Sequence, residues 1–74
     1  MKSRTEDLIT FVKNRRKKLG MTQRDLAHNA GVGLRFVRDL EQGKQTLRLD
    51  KINQVLALFG YKMGPVKIED RDEL

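Results

Sequence analysis

Four glycines, Gly20, Gly31, Gly43 and Gly60, each close a short stretch in which apolar residues recur at intervals of three and four. That rhythm marks a helix with one buried face, and a glycine just past its end supplies the left-handed residue that terminates it. The first such stretch runs from about Asp7 to Leu19. Leu8, Phe11, Val12 and Leu19 lie near one face with Arg15 among them, Thr5 or Ser3 is placed to cap the start, and Glu6 and Asp7 suit the positive end of its dipole. Lys13, Arg15, Arg16, Lys17 and Lys18 load its last turns. The second stretch is Thr22 to Ala30, with Thr22 as N-cap, Asp25 three residues on where a capping box carries Glu or Gln, and Leu26, Ala27 and Ala30 inward. The third is Leu34 to Gln42, with Val37 and Leu40 inward. The fourth is Leu49 to Phe59, with Asp50 at its start and Ile52, Val55, Leu56 and Phe59 as its apolar stripe. Lys44 to Arg48 is a polar connector. After Gly60 the pattern turns extended through Val66, interrupted by Pro65, and residues 67–74 read as a flexible charged tail. The organisation is all-α: one domain over residues 1–66, then the tail.

A chain of 74 residues holds one domain, and at this size folding buries only about 60% of the surface exposed by the unfolded chain. There is no cysteine, so neither a disulfide nor a thiolate zinc site is available, and the single His28 cannot hold a metal alone. A tight helical core and self-association remain as sources of stability. The net charge is +6, unevenly spread: residues 1–66 carry 14 Lys and Arg against 6 Asp and Glu, whereas residues 67–74 carry 2 against 4. A basic body points to a polyanion, nucleic acid first, although basic proteins with no such partner are common. The longest apolar run, Val55 to Phe59, is far short of the roughly 20 residues that cross a bilayer. The charged N-terminal segment has no apolar signal core, so the expected location is cytoplasmic, without membrane contact. Thr22, Thr46, Ser3 and Thr10 have no histidine–carboxylate arrangement around them. No enzyme activity and no cofactor are expected.

The stretch from Thr22 to Gly43 has a mechanical logic. Ala27 is small where two helices cross closely, Gly31 sits where a tight turn needs positive φ, and Val32 plugs that turn into the core. Val37 and Leu40 anchor the second helix on the first. The N-terminal part of that second helix is left projecting outward, as a helix must to reach base edges in a major groove.

These residues resemble the lambda-repressor-like, XRE-type helix-turn-helix domain. The matching positions are Arg16, Gly20, Thr22–Gln23, Leu26–Ala27, Gly31–Val32, Val37, Leu40–Glu41, Gly43–Lys44, Leu49, Ile52 and Leu56 to Gly60, spanning about residues 6–60. The run Gly31 to Lys44, followed by Val55 to Tyr61, is similar to the HipB-like antitoxin branch, whose members pair with a HipA-like kinase toxin and repress their shared operon. The resemblance implies a lambda-repressor-like DNA-binding domain of four to five short helices with a short C-terminal strand or extension. It implies that Gly33, Leu34, Arg35 and Arg38 face the groove, where an Arg fork on guanine O6 and N7 contributes about 1–3 kcal/mol of discrimination. Leu34 is suited to a thymine methyl. Gly33 departs from the polar cap usual there. Thr22, Gln23, Lys44 and Arg48 fall at phosphate positions, with Gln23 also bracing the recognition helix. Arg16 and Glu41 are implied to pair.

Alternatives stand beside several of these roles. Arg35 and Arg38 contact bases, contact phosphates only, or lie solvated; Arg16 and Glu41 pair or are independent surface charges. Phe36 folds back onto the domain or touches DNA; Arg15, Lys17 and Lys18 are a solvated helix end or reach the DNA backbone. One recognition helix covers half a site, so the expected assembly is a two-fold homodimer on a palindromic operator. Its expected surface is Leu58, Phe59, Tyr61, Met63 and Val66, with the HipB-like resemblance implying paired C-terminal strands; the alternative is that these residues only cover the monomer core. The leading functional expectation is a transcriptional repressor and antitoxin with a HipA-like kinase toxin as partner. Behind it stand a phage-type or restriction-control regulator acting alone, and a protein-interaction module built on the same fold. RNA binding ranks lower, for want of aromatic stacking platforms.

Overall fold

A computed structural model of the chain describes residues 4–68. It contains four helices, α1 Arg4–Lys18, α2 Gln23–Ala30, α3 Leu34–Glu41 and α4 Leu49–Ala57, and an extended segment over residues 61–68. The fold is therefore all-α, with an extension and no strand among the described residues, the four-helix arrangement that the lambda-repressor-like resemblance implies. No described helix is long and apolar enough to cross a membrane.

The helix ends show why glycine punctuation was so informative. Past α2, the Val32 N–H donates to the Ala27 carbonyl at 3.0 Å and the Gly31 N–H to His28 at 3.3 Å. Past α3, Lys44 donates to Asp39 at 3.0 Å and Gly43 to Leu40 at 3.2 Å. The ends of α1 and α4 carry the same pair of bonds around Gly20 and Gly60. This is the Schellman turn, which satisfies two carbonyls that the helix leaves open. It needs a left-handed residue, and Gly31 and Gly43 adopt φ of 74° and 87°.

Between the helices lies one core of Val12, Leu26, Ala27, Val37, Leu40, Ile52, Val55 and Leu56. Every helix contributes, and burying each Val, Leu or Ile side chain stabilises the fold by about 1.5–3 kcal/mol. Leu8, Phe11, Met21, Val32, Leu34 and Phe36 pack around it half-buried. Phe36 thus folds back onto the domain, the first of its two expected placements. Among the described residues, no buried side-chain nitrogen or oxygen lacks a hydrogen-bond partner.

Three details differ from the sequence expectation, and a fourth falls mostly outside the described residues. Leu19 is 62% exposed, because α1 ends at Lys18 and the turn around Gly20 swings position 19 outward; Met21 takes the place against the core. Helix α1 begins at Arg4, so position 5 lies inside the helix and not before it; Ser3 is outside the described residues. Helix α4 ends at Ala57, not Phe59, because its last turn tightens: Leu58, Phe59 and Gly60 donate to carbonyls three residues back. Of the expected tail, Lys67 and Ile68 are exposed, and residues 69–74 lie outside the described residues.

Candidate nucleic-acid interface

The outward helix is held by a buried ion pair. Arg16, in the last turn of α1, grips Glu41, at the end of α3, with two parallel bonds: Nε to Oε2 at 2.8 Å and Nη2 to Oε1 at 3.0 Å. Gln23, the first residue of α2, donates from Nε2 to the same Oε1 at 3.1 Å. The remaining arm of the guanidinium, Nη1, donates to the Met21 carbonyl in the α1–α2 turn at 3.0 Å. The side chains are 13% and 2% exposed for Arg16 and Glu41. Burial alone pushes the Glu41 carboxyl up. The hydrogen bonds from Arg16 and Gln23 and the charges of Arg16 and Lys13 outweigh it, leaving the carboxyl below the ordinary glutamate range. The hydrogen bond to Glu41 likewise raises the Arg16 pKa. The three helices before the connector therefore meet at one carboxylate, with Gln23 linking α2 to the end of α3.

Helix α2 is set by its first turn. The Asp25 N–H donates to Thr22 Oγ1 and the Thr22 N–H donates to Asp25 Oδ2, both at 3.0 Å, so the capping box closes with aspartate in the place of glutamate. The Thr22 backbone bond holds the Asp25 carboxyl below its usual range. At its other end, Gln54 of α4 donates from Nε2 to the Gly31 carbonyl at 3.2 Å, a cross-helix contact that spacing alone did not reveal.

With Val37, Leu40 and Glu41 turned inward, α3 presents Arg35, Arg38 and Gln42 to solvent, and Gly33 at its start is exposed. Leu34 is half-buried against the core, so part of that side chain is committed to the fold. Gly33 has φ −75°, no side-chain cap bond forms, and a Cβ there would meet nothing within 4 Å. Neither backbone nor packing requires glycine at that place.

The cations around α3 are not equivalent. Arg35 Nε lies 3.4 Å from Asp39 Oδ1, and Lys44 Nζ lies 3.6 Å from Asp39 Oδ2. Arg48, just before α4, forks onto Asp50 at 2.7 Å and 3.1 Å, and those bonds hold the Asp50 carboxyl low. Among the described residues, Arg38 has no ion-pair partner. Thr22 keeps its hydroxyl proton and Gln23 its second amide N–H as donors, since their known bonds use one acceptor and one donor respectively. The arrangement offers guanidinium, ammonium, hydroxyl and amide donors on and beside one helix face, the chemistry that duplex recognition uses. Asp39 escaped the sequence reading. Its partner Arg35 lies at an i,i+4 spacing visible in the sequence, but Lys44 joins only because the turn at Gly43 folds the chain back.

The expected self-association residues fall into two groups. Leu58, Tyr61, Met63 and Val66 are exposed, whereas Phe59 is half-buried and packs edge-to-face on Phe11 at a centroid distance of 6.2 Å. Tyr61 packs on Phe11 at 4.7 Å, and the Arg15 guanidinium sits 5.1 Å from the Phe11 ring centre and 5.6 Å from that of Tyr61. Arg15 is thus half-buried among aromatics, not solvated. The Met63 N–H donates to Asn53 Oδ1 at 2.8 Å, strapping the extension to α4. Between strap and helices runs an apolar groove of about 380 Å³ lined by Leu8, Phe11, Leu56, Tyr61, Met63 and Val66.

The helix-turn-helix family profile matches residues 12–65. The chain is also similar to the uncharacterized HTH-type transcriptional regulator y4mF of Sinorhizobium fredii, with 46% identity over 54 residues that cover 73% of this chain and 71% of that protein.

Proposed function

The chain belongs to the helix-turn-helix family, and we propose that it is a sequence-specific, double-stranded-DNA-binding transcriptional repressor. The observation that carries this reading is the pose of α3. Its inner face is fixed by Val37, Leu40 and the Arg16–Glu41–Gln23 brace, while its outer face carries Arg35 and Arg38 into solvent. In this reading Arg35 and Arg38 read base edges, with the exposed Gly33 backbone and part of Leu34 against the same groove. Thr22, Gln23, Lys44 and Arg48 hold phosphates on either side, and the exposed Leu58, Tyr61, Met63 and Val66, with Phe59, join two copies on a palindromic operator. The relative from Sinorhizobium fredii, a transcriptional regulator by name, supports the same class.

Selection of bound duplexes from a random pool tests the reading directly, and an enriched palindrome is the expected result. Arg35→Ala and Arg38→Ala then lower the preference for the selected duplex over random DNA, by about tenfold or more for a residue making a bidentate base contact. Lys44→Ala weakens both duplexes alike and makes the salt dependence shallower by about one unit of slope. A specificity ratio untouched by both arginine changes refutes the assignment of α3 as the reading helix.

The finer reading makes the protein the antitoxin of a HipBA-like pair. Its support is the similarity over Gly31–Lys44 and Val55–Tyr61 and the exposed apolar strip at the end of α4. A kinase encoded alongside and co-purifying with the chain is the expected observation. A regulator acting alone is the reading that its absence favours.

A further inference from the structure

Asp39 is out of place on a surface meant for a polyanion. It sits in the last turn of α3, where a carboxylate faces the negative end of the helix dipole, and it follows Arg35 in the less favourable order for an i,i+4 pair. Helix stability therefore does not account for it. The fold does not use it as it uses Glu41, whose carboxylate is enclosed by the brace. Instead its two oxygens divide between two cations of the proposed interface. Oδ1 takes Arg35 Nε at 3.4 Å and Oδ2 takes Lys44 Nζ at 3.6 Å.

The geometry around it comes from the backbone. Lys44 is returned to Asp39 by the turn in which the Lys44 N–H donates to the Asp39 carbonyl at 3.0 Å. That turn is closed by Gly43 at φ 87°, where a Cβ would also press on Ile9 Cδ1 at 3.2 Å. The Asp39 side chain is 20% exposed while that of Arg35 is 88% exposed, so the carboxylate is the fixed member of the pair. It engages the Nε edge of the guanidinium. The two terminal nitrogens, which form the fork for guanine O6 and N7, stay free.

We propose that Asp39 is a positioning residue that sets specificity. It holds the Arg35 fork in one orientation for base reading, and its charge offsets part of the pull of Lys44 on phosphates while repelling those phosphates itself. This inference rests on the DNA-binding reading above. Its consequence is selective. Loss of the Asp39 charge strengthens sequence-independent binding, which is mostly phosphate attraction, and loosens the group that distinguishes one sequence from another.

The test compares wild type, Asp39→Asn and Asp39→Glu on a duplex enriched from a random pool by the wild type and on a scrambled duplex of equal length, across a salt series. For Asp39→Asn, affinity for the scrambled duplex rises about three- to tenfold at 0.1 M salt, as removal of one like charge near phosphates requires. Its salt slope steepens by up to about one as the carboxylate charge beside the phosphates is lost. The ratio between the two duplexes falls about tenfold. Asp39→Glu, which keeps the charge, retains most of the ratio, and in an Arg35→Ala background Asp39→Asn no longer changes it. Equal changes on both duplexes, or none, overturn the inference while leaving the DNA reading standing. A wild type that enriches no sequence overturns the DNA reading itself, and this inference with it.

Discussion

Glu41→Ala is the perturbation whose size follows most directly from the structure. It removes the acceptor shared by Arg16 and Gln23 and leaves a guanidinium, only 13% exposed, with the Met21 carbonyl as its remaining partner in the brace. Breaking one side of a buried ion pair costs about 3–5 kcal/mol, and the residual exposure of Arg16 puts this case at the lower end, about 3. A 74-residue chain has a total stability of about 4–11 kcal/mol, so the variant approaches the unfolding threshold. At about 4–8 °C per kcal/mol the melting temperature falls by about 12–24 °C, readable by circular dichroism. The paired replacement Arg16→Met with Glu41→Leu removes both charges together and returns to within about 1 kcal/mol of wild type, because desolvation of the two ions offsets most of their attraction. The pH dependence carries a second signature. The folded-state pKa of Glu41 is depressed, so the unfolded chain binds the proton more readily. The stabilisation is fully present above the unfolded value of about 4.3 and is lost as pH falls through the folded value. The gap between wild type and the paired replacement therefore shifts in favour of the replacement on acidification from pH 7 to pH 3. A fall of less than about 4 °C for Glu41→Ala, or a paired replacement as unstable as the sum of its single changes, refutes the account of the brace.

Two further changes probe the start of α3 and the C-terminal extension. Gly33→Ser, at a position with negative φ and open space for a Cβ, adds the missing cap to α3 and reduces the freedom of the unfolded chain, so it stabilises by about 0.5–1 kcal/mol in a thermal melt. Tyr61→Ala removes the ring shared by Phe11 and Arg15; proteolysis then cuts within residues 61–68 faster than in wild type while the melting temperature falls by only a few degrees, about 1 kcal/mol in free energy.

Much of the fold was legible because its signals are local. Glycine after an apolar-periodic run marks the Schellman turns, and Thr22 with Asp25 marks the start of α2. Where the reading slipped, it extended a local rule past its range. Leu19 continued the periodicity of α1 in the sequence, but the helix had already ended at Lys18. The contacts that join distant segments left no comparable trace. Arg16 and Glu41 are 25 residues apart and were paired only through family resemblance; Arg15 meets Tyr61 across 46 residues and was read as one of several charges at a helix end. Gln54 at the Gly31 carbonyl belongs to the same class. Of the α3 positions that the resemblance nominates, Arg35 and Arg38 are exposed and Leu34 is half-buried, and their electrostatic relations, above all the shared Asp39, depend on the turn at Gly43 that folds the chain back.

The division of α3 into two faces has a consequence for how such a protein diversifies. Residues 37, 40 and 41 are spent on the core and the brace, whereas 35, 38 and 42 are exposed and 39, half-buried, lies outside the core. Substitutions at those four places outside the core leave the scaffold intact, and on the proposed reading they redirect it to a different duplex. Duplicate copies in one cell can thus come to ignore each other's sites through a handful of changes, and grafting those four residues onto a relative of the same fold should carry the preference with them.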